Sequence, residues 1–284
     1  MTRRAKPSDR FVASPEACRD AILDVIRGAT RDIALSLFRC NDKEVFVELK
    51  RARARGVTVT ALVTARAEGG AKKLDKLRHA LLDTGATVTV YADSVVKYHA
   101  KYLVADDGPA IVASLNFTKK CFSRTLDALV VTHDAAVVSG LRDLMEADRH
   151  LRAAPSGLSP RLVVGPERAR AQLTALIRGA RSSVRLLDKK LSDPAFIALL
   201  AERKAAGVRV ERFDRKKYGD LKSHGKVCVI DDRVVIVGGL ALAALSLDFR
   251  REVAIVVEDR DAVVEAHAFL DAIVTRSSGA SASA

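Results

Sequence analysis

Two stretches of this 284-residue chain carry the same spaced pattern, His-x-Lys-x-x-x-x-Asp: His99, Lys101 and Asp106, then His224, Lys226 and Asp231. The offsets agree, since 224 − 99, 226 − 101 and 231 − 106 all equal 125. Two further pairs repeat at a different offset. ILDVIRGATR (22–31) parallels LTALIRGARS (173–182), and ARARGVTVTAL (52–62) parallels ERKAAGVRVERF (202–213). Their glycines, Gly28 with Gly179 and Gly56 with Gly207, are both 151 apart. A chain duplicated in this way must build two like units and bury the same apolar face twice. The first copy holds 151 − 125 = 26 extra residues before its histidine. These read as a helix over 71–83 and a strand over 87–91.

Each copy opens with an amphipathic helix, for which Gly28 and Gly179 are the expected C-caps. A strand follows (33–38 and 184–187), then a basic helix and a valine-rich strand. This alternation predicts an α/β fold. The expected organisation is a first repeat over 11–152, a linker over 153–160 (AAPSGLSP), a second repeat over 161–275 and a disordered tail over 276–284. A net charge of +13 points to polyanions as partners, while the lack of Trp disfavours a base-stacking surface. Cys18, Cys40, Cys121 and Cys228 show no metal-ligand spacing, and buried inert thiols are expected. Neither a secretory signal nor a membrane span is visible, so a cytoplasmic location is expected.

The chemistry sits in the repeated motif. Residues two apart on a strand share a face, so His99 points with Lys101 and away from Asp106, and the same holds for His224, Lys226 and Asp231. The aspartates are therefore expected to secure the strand end or its turn. A neutral imidazole can attack phosphorus while a neighbouring ammonium steadies the oxygens. Beyond the first motif, Ser114 and Asn116 are candidate donors to phosphate oxygens. An acid opens the next apolar strand in each copy, Asp127 and Glu252, again 252 − 127 = 125 apart. A carboxylate on the far nitrogen of each histidine would fix its tautomer and steady its charged form. At the 125 offset, Ser114, Asn116 and Thr118 correspond to Gly239, Ala241 and Ala243, so the second copy lacks the polar turn.

The two motifs, the Ser114-Leu-Asn116 turn and the trailing acids together resemble the phospholipase D superfamily, from about Pro15 to Val274. The resemblance implies two α/β halves packed about a pseudo-twofold axis, with both histidines in one cleft. It implies a phosphodiesterase that works through a covalent phosphohistidine, hydrolysing or transferring, without metal or cofactor. One histidine attacks and the other protonates the leaving oxygen; His99 is assigned as nucleophile because its half is better furnished, and His224 as acid. The expected substrate is a phospholipid in preference to a nucleic acid, acted on by a monomer that could touch an anionic membrane. A nuclease and a non-catalytic polyanion-binding module are the alternatives.

Overall fold

The structure is a computed structural model that describes residues 9–66 and 71–279. The first half opens with β1 (Arg10–Val12) and α1 (Pro15–Gly28), followed by β2 (Asp32–Leu37), α2 (Lys43–Ala54) and β3 (Thr58–Thr64). Next come α3 (Ala71–Leu82), β4 (Thr87–Tyr91), β5 (Lys97–Tyr98), β6 (Tyr102–Ala105) and β7 (Ala110–Ala113). α4 (Cys121–Arg124), β8 (Thr125–Leu126), β9 (Leu129–Thr132) and α5 (Ala135–Arg149) complete it. The second half runs β10 (Leu162–Gly165), α6 (Ala169–Arg178), β11 (Ser183–Leu187), α7 (Pro194–Ala205) and β12 (Arg209–Phe213). It ends with β13 (Lys217–Tyr218), β14 (Leu221–Ser223), β15 (Val227–Ile230), β16 (Val234–Gly238), α8 (Ala244–Asp248), β17 (Arg250–Val257) and α9 (Arg260–Gly279).

The duplication is plain in the sheets. The first has the order β1-β9-β7-β6-β2-β3-β4 and the second β10-β17-β16-β15-β11-β12. Element by element these two orders match, except that β4 has no counterpart in the second. The 26 extra residues therefore account for α3 and an added edge strand. Each sheet buries its outer face under its own helices: Ile22 and Leu49 of α1 and α2 cover the first, and Leu173 and Phe196 of α6 and α7 cover the second. The inner faces share one central core, in which Tyr98, Val104 and Val130 meet Val229, Val237 and Val253.

Local sequence explains the helix ends. Ser14 accepts from Ala17 N and Pro15 fills the first turn of α1, while Asp42 and Asp193 cap α2 and α7. Of the two expected glycine caps, one is found. Gly28 lies inside α1, and Gly179 caps α6 with a right-handed φ of −76°. Left-handed glycines follow other helices: Gly85 (φ 84°) after α3, and Gly56 (φ 89°) and Gly207 (φ 88°) after α2 and α7. There Val57 N donates to Ala52 O and Gly56 N to Arg53 O, with the same pair of bonds around Gly207, the double closure of a Schellman end. The tail is also shorter than expected: 276–279 belong to α9, and 280–284 lie outside the described residues.

The halves are joined through reciprocal strand pairs. β5 runs parallel to β17, with Lys97 opposite Arg250 and Tyr98 opposite Arg251. β14 runs parallel to β8, with Lys222 opposite Thr125 and Ser223 opposite Leu126. A shift of 125 converts each pair into the other, since 97 + 125 = 222 and 250 − 125 = 125. That exchange is the signature of a twofold relation.

Candidate active site

Each motif histidine sits where the chain leaves a strand paired with the opposite half (β5 on β17, and β14 on β8 in a small sheet with β13) for the large sheet of its own half. His99, Ala100 and Lys101 lie between β5 and β6; His224 to Lys226 lie likewise between β14 and β15. The motif is thus not one continuous strand, but the expected parity survives the break. His99 N donates to Arg251 O (2.9 Å) and Gly225 N to Leu126 O (2.7 Å), which fixes each motif against the opposite half.

The acids follow the same crossing. Nδ1 of His99 stands 3.0 Å from Oε1 of Glu252, and Nδ1 of His224 stands 2.9 Å from Oδ1 of Asp127. Each histidine is therefore served by the carboxylate of the other half, and Nε2 of His99 lies 3.4 Å from the Lys101 ammonium. Burial pushes both carboxyls up. His224 with the hydroxyls of Thr125 and Ser114 outweighs it at Asp127, and His99 with Lys101 and Lys226 does so at Glu252, so both stay below the usual range. The Lys101 ammonium donates to His99 O (2.5 Å) and the Lys226 ammonium to His224 O (2.7 Å). Burial pulls Lys101 down to about 7.

The two histidines differ. His99 has 15% of its side chain exposed against 29% for His224. Phe38 packs on the His99 imidazole at 4.3 Å between ring centroids, with the Lys101 ammonium 5.3 Å from the same ring. Burial, then the charges of Lys101 and Lys226, hold His99 well below the ordinary imidazole value despite Glu252. At the 151 offset Phe38 corresponds to Lys189, so His224 has no equivalent aromatic cover from that position.

Asp106 and Asp231 bond to backbone at the sheet entry. Both take a left-handed φ (48° and 54°) and curl over the loop entering β2 or β11. Asp106 accepts from the backbone of Thr30, Arg31 and Asp32, and Asp231 from that of Arg181, Ser182 and Ser183.

Ser114 departs from expectation. Its hydroxyl donates to Asp127 Oδ1 (2.8 Å) and accepts from Ala128 N, so it is committed to the acid and the backbone. This also changes the meaning of Gly239. A Cβ there would stand 2.7 Å from Oε2 of Glu252, so the longer acid occupies the volume that the serine fills in the first half. Ser246 supplies the missing hydroxyl instead, donating to Glu252 Oε1 (2.9 Å). Asn116 lines the cleft, and its buried Oδ1 has no hydrogen-bond partner.

Sequence reasoning missed Phe38, Thr125, Ser246 and Arg251. Thr125 donates to Asp127 Oδ2 (2.6 Å). Arg251, buried, bonds Asp148 of the first half (2.7 Å) and Glu167 of the second (2.5 Å), which clamps the strand that holds both Glu252 and the His99 amide. Tyr98, beside the first motif, and Phe122, beyond the Ser114-Leu-Asn116 turn, belong to the core: the Tyr98 hydroxyl meets Ser36, and Phe122 packs on Phe117. Spacing also gave no hint that Cys121, Asp127 and His224 place ligand atoms within 4.8 Å of one another. They could hold a soft cation only by giving up the His224–Asp127 bond, and burial pushes the Cys121 thiol away from its metal-binding form.

A family model described as "Cardiolipin synthase, PLD-like domain" matches residues 22–149 and 176–274, one segment in each half. The chain belongs to this phospholipase D-like family. Among solved structures, it is similar to the polyphosphate kinase of Porphyromonas gingivalis, with a TM-score of 0.74, 18% identity, and coverage of 93% of this chain but 46% of that one. It is also similar to the phosphatidylserine synthase of Haemophilus influenzae Rd KW20, with a TM-score of 0.69, 13% identity, and coverage of 95% and 86%. At these identities the likeness is one of fold. The chain spans less than half of the kinase. No curated protein matches it. Among the described residues, no helix is long and apolar enough to cross a membrane.

Proposed function

We propose that this protein cleaves or transfers phosphodiesters through a covalent phosphohistidine, with His99 as nucleophile and His224 as general acid. The observation that carries the reading is the reciprocal pairing of His99 with Glu252 and of His224 with Asp127. Glu252 holds the Nδ1 proton of a neutral His99, so the Nε2 lone pair attacks phosphorus. Bond breaking to the leaving oxygen is completed by a proton from Nε2 of His224, whose charged form Asp127 steadies. His224 then takes a proton from water or an acceptor alcohol. That oxygen attacks phosphorus, and the N–P electron pair returns to His99. Lys101, Lys226 and the Asn116 amide steady the phosphoryl oxygens. The division of labour rests on the deeper burial of His99 and the easier access to His224.

Phospholipid is the favoured substrate because apolar side chains share the cleft lining with its cations. The cations would equally suit a nucleic acid. Turnover of bis(p-nitrophenyl) phosphate is expected in the wild type and its loss in His99→Ala and His224→Ala; inactivity of the wild type would sink the proposal. Release of headgroup from phosphatidyl substrates, against plasmid nicking in EDTA, separates lipase from nuclease.

A further inference from the structure

The insertion that distinguishes the first half forms one wall of the cleft that opens on His224. This cleft, of about 610 Å³, has His224 and Asn116 in its lining and extends along α2 and α3. Its lining changes character on the way. Phe46 of α2 and Leu74, Leu77 and Ala80 of α3 make an apolar stretch, while Lys73 and Lys76 belong to the same cavity. Phe46, Leu74 and Ala80 are half-buried, so water now touches apolar surface that a ligand could cover, whereas Lys73 and Lys76 are exposed. The second half has no counterpart of α3, so this wall is one-sided.

We infer that the α2–α3 wall is a subsite for the single alkyl chain of an amphipathic phosphate ester, whose phosphate lies at His224 and Asn116. The inference rests on the phosphodiesterase reading and deepens it. Size suits the occupant: about 610 Å³ is enough for one alkyl chain beside the phosphate. Chemistry limits it. A flipped nucleobase needs polar partners along its edge, and Phe46, Leu74, Leu77 and Ala80 offer none. Lys73 and Lys76 suit an anionic amphiphile by bringing positive charge to the same cavity.

Binding of n-alkyl phosphates, methyl through octyl and below their micelle concentrations, tests this by calorimetry without requiring turnover. Each methylene buried should tighten Kd about fourfold until the wall is covered, so that octyl exceeds methyl phosphate by more than about 100-fold. In Leu74→Asp and in Ala80→Asp, each checked for an unchanged melting profile, the octyl-to-methyl ratio should fall below about tenfold. A flat wild-type series, a ratio preserved in both variants, or adenosine 5′-phosphate binding tighter than octyl phosphate would overturn the inference. A steep series in a protein that fails to turn over bis(p-nitrophenyl) phosphate would uphold the subsite and defeat the phosphodiesterase reading instead.

Discussion

Gly239 is the position where the two half-sites can be set against each other. Adding one methyl there places Cβ 2.7 Å from Oε2 of Glu252, closer than real Cβ contacts allow, and 3.5 Å from His99 O. The carboxylate is the group that must move, and its Oε1 holds both His99 Nδ1 (3.0 Å) and Ser246 Oγ (2.9 Å). A hydrogen bond to a charged group contributes about 1.5–3 kcal/mol. Its loss at the nucleophile converts to a fall of about 10- to 150-fold in kcat. Gly239→Ala should therefore show that fall with saturating bis(p-nitrophenyl) phosphate. Glu252→Asp shortens the acid by one methylene and vacates the contested volume. The double variant Gly239→Ser, Glu252→Asp rebuilds the arrangement of Ser114 and Asp127, and should recover activity to within about tenfold of wild type, a favourable coupling of at least about 1 kcal/mol. Full activity in Gly239→Ala, or a double variant no better than the product of its singles, would refute the idea that acid length and glycine are matched.

Lys101 makes the reaction pH-sensitive. With its pKa drawn down to about 7, the free enzyme loses this ammonium as pH rises through neutrality, so kcat/KM should decline about tenfold per unit well above that point. Bound phosphate favours the charged form, so the alkaline limb of kcat should lie higher, and coincident limbs would contradict this. Arg251→Met leaves Asp148 buried without its partner, which should cost about 3–5 kcal/mol and lower Tm by about 6–20 °C in a thermal melt. Ser114→Ala should lower kcat with little change in KM, whereas a rise in KM alone would restore Ser114 to a substrate-binding role. Asp106→Ala removes the cap over Thr30, Arg31 and Asp32 and should lower denaturant midpoint while kcat of the folded protein persists.

Much of this architecture was legible in the chain. The change of offset from 151 to 125 located the extra helix and strand, and strand parity placed Asp106 and Asp231 away from the histidines. The crossing of the acids was not legible. An offset relates equivalent residues, and exchanging the halves leaves it unchanged, so it cannot distinguish His99–Asp127 from His99–Glu252. Ser246 and Arg251 escaped for a related reason: at the 125 offset they stand opposite Cys121 and Leu126, residues of other types. Gly239 looked like a lost donor because the sequence does not show that Ser114 is spent on Asp127. Gly28 was misplaced as a cap because Gly28 and Gly56 both follow helical patterns, and backbone handedness separates them only in three dimensions.

The central claim is that His99 takes the phosphoryl group and His224 handles the proton. Bis(p-nitrophenyl) phosphate tests it directly, because p-nitrophenolate leaves as a stable anion without an acid's help. His224→Ala should release a burst of one p-nitrophenolate per chain and retain a p-nitrophenyl phosphoryl adduct on His99, seen by intact mass and peptide mapping. An adduct on His224 in the His99→Ala protein, with none on His99 in His224→Ala, would contradict the account.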